Sequence, residues 1–237
     1  MKWFLTLFLP ALVFGSVPTV DEVIAASRAK IGSDDRLNSV ETLQFRATLI
    51  RPGVDPARDD LPDLEIMIKK PRKQIIRINS ERGLEASVVN EYEGYRLVKP
   101  KDAAEAMIEP MQTDELIRLT TNALENLSFF RYPLNSNVRM RMIGPVTILG
   151  RDMLAIHFRH ANGVEYVRYF DPETYALVGT LTGQLLTMES GQIKANGISF
   201  GSNLEVYVDG NLAHTIKVNE VKVNQPLADA LFEYPED

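Results

Sequence analysis

The sequence predicts a mostly β protein of the α+β class: an incomplete, strongly curled antiparallel β-barrel of about eleven strands, closed by helices on its open side. Three observations predict it. From Asn162 to Thr182, reading NGVEYVRYFDPETYALVGTLT, two turn signals join three runs of alternating β-branched, aromatic and charged residues, which is an antiparallel meander. Asn162-Gly163 is read as a two-residue turn with positive φ at both centres, and Asp171-Pro172-Glu173-Thr174 as a turn in which the aspartate accepts backbone hydrogen bonds. Most of the remaining chain alternates in the same way, while only two internal segments have helical periodicity. One long sheet then has two edges to protect and an apolar face to cover, and the helices are the available cover.

At the start, Lys2 precedes an apolar run from Trp3 to Phe14 that is too short for a membrane anchor. Residues 1–15 read as a signal peptide cleaved near Gly15, and residues 16–237 as a single half-barrel domain. No later window has the roughly 18 consecutive apolar residues of a spanning helix, so no stable membrane anchor is expected. Cysteine is absent, which excludes disulfides, thiol catalysis and cysteine metal sites. Export without crosslinks suits a bacterial periplasm. The formal charge is −6, with no basic block, so nothing draws the chain to nucleic acid or an anionic bilayer. The expected partner is neutral, apolar or cationic, and the protein is expected to be a monomer.

Thr19 and Glu22 have capping-box spacing at the head of a helix whose Val20, Val23, Ile24 and Ile31 share one face, with Gly32 as its stop. A polar elbow, Ser33-Asp34-Asp35, leads to a strand in which Leu43, Phe45, Ala47 and Leu49 alternate with polar residues. Arg51 to Pro62, with three prolines, is a loop. Leu64, Ile66 and Ile68 alternate in the next strand, Lys70-Pro71 breaks it, and Ile76 and Ile78 resume the pattern. Two short strands, Glu85 to Asn90 and Tyr95 to Lys99, flank the Glu93-Gly94 turn, and Lys101 to Gln112 reads as irregular or partly helical. From about Asp114 a second helix carries a broad apolar stripe of Leu116, Ile117, Leu119, Ala123, Leu124 and Leu127, ended by Arg131-Tyr132-Pro133. Strands follow at Val138–Met142, Val146–Leu149, Met153–Ala161, the meander, Leu185–Glu189, Ile198–Val208 and Leu212–Val223.

Catalytic constellations are poor. His157 and His160 lie an odd number apart along one strand, so their side chains point to opposite faces and cannot share a metal; His214 is the only other histidine. No nucleophile elbow, zinc-protease pair, P-loop, dinucleotide fingerprint or calcium loop is present. No enzyme activity, catalytic residue, cofactor or metal is therefore expected. What remains is the space between sheet and helices, which residues alone leave open as a packed core or a lined cavity. The candidate lining side chains are Leu43, Phe45, Leu49, Ile66, Ile68, Ile76, Ile78, Leu116, Leu124, Leu204 and Val206, with Lys70 and Arg77 at the lid or mouth. In the meander, Val167 and Tyr169 share one face and Tyr166 and Arg168 the other. Either pair could face inward; Val167 and Tyr169 complete the candidate set.

The C-terminal stretch NEVKVNQPLADALFEYP resembles the closing strand and tail of LolA-like outer-membrane lipoprotein-sorting proteins. Partial matches run in the same order at Ile24 to Leu43, Lys69-Lys70-Pro71, Glu93-Gly94 to Pro100, and Phe170 to Tyr175. The resemblance implies an incomplete barrel with a helical lid over a hydrophobic cavity that shelters acyl chains in the periplasm. It implies further an inner-membrane transporter that loads the carrier and an outer-membrane acceptor that unloads it. Each buried methylene contributes about 0.8 kcal/mol, so such a cargo needs a dry shelter and no reaction site. Lys70 stands where the family has an arginine, and Gln74 where it has an aromatic residue, which marks a divergent relative. The expectation is thus a non-catalytic periplasmic carrier of a lipid or of lipoprotein acyl chains. The alternative is a periplasmic interaction or regulatory protein, in envelope stress or assembly, using the same fold with a filled core.

Overall fold

The structure is a computed structural model that describes residues 18–56 and 59–235. The expected signal peptide, residues 1–15, and its cleavage site near Gly15 lie outside the described residues.

Helix α1 (Val20–Ile31) begins as the sequence predicts: Thr19 Oγ1 accepts from the Glu22 amide at 3.3 Å while Glu22 Oε2 accepts from the Thr19 amide at 2.7 Å. The polar elbow that follows is itself a short helix, α2 (Asp34–Asn38), whose Leu37 is buried. Eight strands and a helix then carry the chain through its first half and into the second. These are β1 (Thr42–Ile50), β2 (Asp63–Lys69), β3 (Lys73–Ser80), β4 (Gly83–Asn90), β5 (Glu93–Pro100), β6 (Met107–Pro110), α3 (Thr113–Ser128), β7 (Arg139–Ile148) and β8 (Arg151–Arg159). The rest is β9 (Glu165–Phe170), β10 (Leu177–Thr182), β11 (Leu185–Ser190), β12 (Ile193–Ala195), β13 (Ile198–Phe200), β14 (Asn203–Val208) and β15 (Asn211–Val223).

Thirteen strands form one antiparallel sheet in the order β6-β5-β4-β3-β2-β1-β15-β14-β11-β10-β9-β8-β7. Its terminal strands do not pair with each other, so the curled sheet is an unclosed barrel. The strand count exceeds the expected eleven for local reasons. β6 lies in a segment read as irregular, β12 lies between two expected strands, and β13, which pairs with β12 in a separate hairpin, is cut from the expected strand Ile198–Val208. Conversely, Val138–Met142 and Val146–Leu149 merge into β7, interrupted by a bulge between Met142 and Gly144. Gly144 has φ +112 there. The bulge turns the strand over: Met140 and Met142 pack with the concave-face residues Ile156 and Phe158, while Val146 packs with Met153 on the opposite face. Gly144→Ala forces a side chain into that backbone conformation and lowers stability by about 2 kcal/mol, measurable by urea unfolding.

The two faces of the sheet are covered differently. On the concave side α3 lies against β2, β3 and β4, and Val23 and Ile24 of α1 pack on Leu154, Ile156, Phe158 and Phe170. On the convex side of β2 to β5, the tail after β15 lays Leu227 and Phe232 over Met67, Ile75, Val88 and Tyr95. Asp229 pins that tail: its carboxylate lies 2.6 Å from Lys73 Nζ and 3.1 Å from Lys69 Nζ. Hydrogen bonds from both lysines, Lys73 first, hold the carboxyl below its usual range.

The expected two-residue turn at Asn162-Gly163 is larger. Only Gly163 has positive φ, +87, and the loop closes through Gly163 N to His160 O at 3.0 Å and His160 N to Val164 O at 2.9 Å. Asn162 keeps an ordinary backbone because its side chain is engaged: its amide donates to Thr121 Oγ1 of α3 at 2.8 Å. The Asp171 turn is as expected, with Asp171 Oδ1 accepting from the amides of Glu173 and Thr174 and from Thr174 Oγ1.

Candidate functional site

The helical cover is fastened at one point. Helix α3 ends three residues before the expected Arg131, because Phe129 and Phe130 both adopt left-handed φ, +46 and +67. Bulky residues rarely occupy that region, so tertiary contacts must hold them there. Two contacts do. Buried Arg28 of α1 donates to the carbonyls of Ser128 and Phe129, capping the exposed end of α3, while Asp34 of α2 accepts from the same guanidinium at 2.6 Å. The rings then diverge. Phe129 meets Phe200 of the β12–β13 hairpin at 6.4 Å, and Phe130 meets Phe170 of β9 at 5.8 Å.

Between these rings, the helices and the sheet lies a cavity of about 460 Å³. That is within the common range for small-molecule sites, about 300–1,000 Å³. One wall is apolar: Leu43 and Phe45 of β1, Ile66 of β2, Leu204 and Val206 of β14, Ile216 of β15, with Phe129 and Phe200. Phe45 and Phe200 meet edge to face at 5.5 Å. The other wall is polar: Tyr166 and Arg168 of β9, Thr180 and Thr182 of β10, Thr187 and Glu189 of β11, and Ser27, Asn122 and Asn126 from the helices. A larger depression of about 920 Å³ runs outside along β7, lined by Arg131, Arg139, Arg159 and His160 among others. Its charged, open lining suits water, whereas the inner cavity has the apolar wall a ligand-sized shelter requires.

Behind the polar wall is a buried charge network. Glu125 of α3 accepts from Arg168 Nη2 and from Tyr132 Oη at 2.9 Å, and its Oε1 lies 2.6 Å from His160 Nε2. The guanidinium carbon of Arg168 also sits 4.7 Å from the Phe130 ring centre and 5.2 Å from that of Phe158. Burial pushes the Glu125 carboxyl up, but the Arg168 charge and the His160 and Tyr132 hydrogen bonds hold it below the usual value. Burial opposes the charge on Arg168 as well, and Glu125, with Tyr132, Tyr166 and Glu189, together outweighs it. Desolvation raises the Tyr132 and Tyr166 phenols well above their ordinary values, so both stay protonated. Glu189 has no hydrogen-bond or ion-pair partner among the described residues; desolvation pushes its carboxyl up to about 7, with Arg168 pulling the other way.

No family model matches the sequence, and a search of curated proteins found no match. Solved structures do match the fold. A DUF1329 family protein from Desulfovibrio piger is 13% identical, with a TM-score of 0.57 over 91% of this chain and 97% of that one. A LolA superfamily protein from Nitrosomonas europaea is 11% identical, with a TM-score of 0.55 over 92% and 98%. An outer membrane lipoprotein-sorting protein domain from Vibrio parahaemolyticus is 8% identical, with a TM-score of 0.54 over 89% and 94%. The chain has the LolA-like fold.

Within that LolA-like fold the candidate lining residues separate into three groups. Leu43, Phe45, Ile66, Leu204 and Val206 stand together on the cavity wall. Ile68, Ile76 and Ile78 share the concave face but pack into the core beneath α3, with Ile68 fully buried. Leu49 is half-buried opposite Ile216 on the same face, and Leu116 and Leu124 of α3 are respectively half-buried and buried away from the cavity. Val167 and Tyr169 require correction: they point outward and pack with Met153, Ala155 and Met188, so Tyr166 and Arg168 are the inward pair. Arg77 is likewise on the outer face, paired with Glu65 at 3.0 Å, because it alternates with inward Ile76 and Ile78. Lys70 is held by Glu41 at 2.9 Å beside the end of α2, not at the cavity. Residues missed by the sequence reading are Glu125, His160, Arg168 and Glu189. One signal was available: Arg168 shares a face with Tyr166 and Phe170, and a charge on an apolar face demands a buried partner.

Proposed function

We propose that this protein is a periplasmic carrier that shelters a lipid, or the acyl chains of a lipoprotein, in the cavity between its curled sheet and its helices. The observation that carries the reading is the 460 Å³ space with a continuous apolar wall from Leu43, Phe45, Ile66, Leu204 and Ile216. A filled core, as an interaction protein would have, leaves no such space. The cargo needs no chemistry, only removal of its methylenes from water. By the same reading an inner-membrane donor loads the protein and an outer-membrane acceptor unloads it, both acting on the mature chain 16–237 after export.

Binding of an environment-sensitive apolar fluorophore, with displacement by monopalmitoyl glycerol, tests the reading. Leu204→Trp fills the cavity from its apolar wall and weakens that binding by about tenfold or more, the equivalent of about 1.4 kcal/mol. Absence of fluorophore binding to the wild-type protein, with no acyl compound extracted from it, would overturn the reading.

A further inference from the structure

Resting on that carrier reading, we propose that Glu189 is the head-group site of the cavity: its carboxylate pairs with a primary ammonium group on the bound amphiphile. The alkyl or acyl chain of that amphiphile then runs along the apolar wall from Leu204.

Glu189 stands on β11 directly opposite Leu204 of β14, and both residues line the cavity. The boundary between the polar and apolar walls therefore runs between two cross-strand neighbours, and an amphiphile has the same boundary between head and chain. Glu189 is half-buried, and its carboxylate oxygens are not sealed off as Ser27 Oγ and Tyr166 Oη are, so a ligand atom in the cavity reaches them. No protein donor does: the carboxylate has no hydrogen-bond or ion-pair partner among the described residues. Two hydroxyls on the same face add acceptor oxygens beside it. Thr187 lies two residues earlier on β11, and Thr180 is the cross-strand partner of Thr187 on β10.

Charge fixes the type of head group. The ionisable residues on the cavity lining are Lys30, Glu125, Tyr166, Arg168 and Glu189. Glu125 of α3 and Arg168 of β9 neutralise each other, and Tyr166 of β9 stays protonated. Lys30 of α1 is exposed on the cavity rim, where water solvates it. Glu189 is thus left as an uncompensated carboxylate, and desolvation raises it accordingly. A ligand carboxylate or phosphate would double that charge, and a neutral hydroxyl would bond to it but leave it standing. An ammonium cancels it, and its three N–H groups find the carboxylate and the threonine hydroxyls as acceptors. Repulsion from Arg168 is weak, because that charge is held by Glu125 and closed in by Phe130 and Phe158. Phe45, Leu204 and Ile216 then take the attached chain.

The test compares dodecylamine with 1-dodecanol, equal chains that differ only in the head group, each displacing the apolar fluorophore at pH 8. There the amine is an ammonium and Glu189 is mostly ionised. The expected result is about tenfold tighter binding of the amine, and an amine-to-alcohol ratio of about one in Glu189→Gln. The carboxylate has no protein partner to lose, so Glu189→Gln does not lower the unfolding midpoint, which separates a ligand role from a structural one. Titration calorimetry of the wild-type protein at pH 7, in two buffers of different ionisation enthalpy, adds a second reading. Pairing lowers the Glu189 carboxyl from about 7, so amine binding releases about half a proton and alcohol binding none. Equal binding of amine and alcohol, a preference that survives Glu189→Gln, or amine binding without proton release would overturn the head-group site. The carrier reading would still stand in each case, because the alcohol displaces the fluorophore. If the fluorophore binds but neither ligand displaces it, the head-group site fails; if the fluorophore does not bind either, the carrier reading fails with it.

Discussion

Glu125→Gln lowers the stability of the protein by about 3–5 kcal/mol in urea unfolding, the cost of breaking a buried ion pair from one side. Glutamine preserves the shape and can still bond to Tyr132 and His160. What it removes is the charge opposite Arg168, a residue 8% exposed whose guanidinium is closed in by Phe130 and Phe158 and unable to deprotonate. Apolar replacement of both partners, Glu125→Leu with Arg168→Met, recovers most of the loss, because neither side is then left as an uncompensated charge. A loss under 1 kcal/mol for the single substitution would show that water reaches Arg168 and that the network is not closed. The acid side has a defined sign. The carboxyl is held below its ordinary 4.5, so its contribution is complete above that pH and is lost as pH falls through the depressed folded value. Glu125→Gln therefore flattens the acid limb of the stability profile as well as lowering the plateau.

The sheet was legible because alternation reports which face of a strand is buried, and most strands here are six residues or longer. It failed where that signal has no room. β12 and β13 have three residues each and β6 has four, too few to show a period. The bulge at Gly144 broke one strand into two apparent ones by changing the phase of the alternation. The apolar wall was partly legible for the same reason as the sheet: Leu43, Phe45 and Ile66 alternate, and their strands pair in register, Leu43 with Ile68 and Phe45 with Ile66. The polar wall was not. Aromatic content favoured Val167 and Tyr169 no less than Tyr166 as inward residues, and the phase of β9 is set by its pairing with β8, where Arg168 stands opposite Ile156. Glu125 sits inside an apolar helical stripe and is explained only by residues 160 and 168, which the fold brings to it. Apposition of that kind has no periodic trace in the sequence.

Glu189→Gln has the opposite effect to Glu125→Gln, and its size depends on pH. Glu189 stands on β11 opposite Leu204 of β14, and the absent side chain of Gly201 leaves room for it: a Cβ there would lie 3.0 Å from Oε2. The charged groups that face it are Arg168 on β9, committed to Glu125 on α3, and Lys30 at the rim on α1. Desolvation consequently dominates, and the folded carboxyl titrates at about 7 instead of 4.5. A carboxyl raised in this way binds its proton in the folded protein over a window where the unfolded chain has released it. Stability is then highest below about pH 4.5 and falls as pH rises to about 7, beyond which the full cost of the buried charge is present. At about 1.4 kcal/mol per pKa unit that cost is at most about 3 kcal/mol, and less to the extent that water reaches the half-buried side chain. Glutamine mimics the neutral acid, so Glu189→Gln matches the wild-type protein at pH 4 and exceeds it by about 1–3 kcal/mol at pH 8. Urea unfolding of both proteins across that range reads the difference directly, and parallel profiles would show that Glu189 is solvated. A stabilising substitution on the wall of a cavity is what a binding surface predicts, since a site kept for a ligand is kept at some expense to the empty fold.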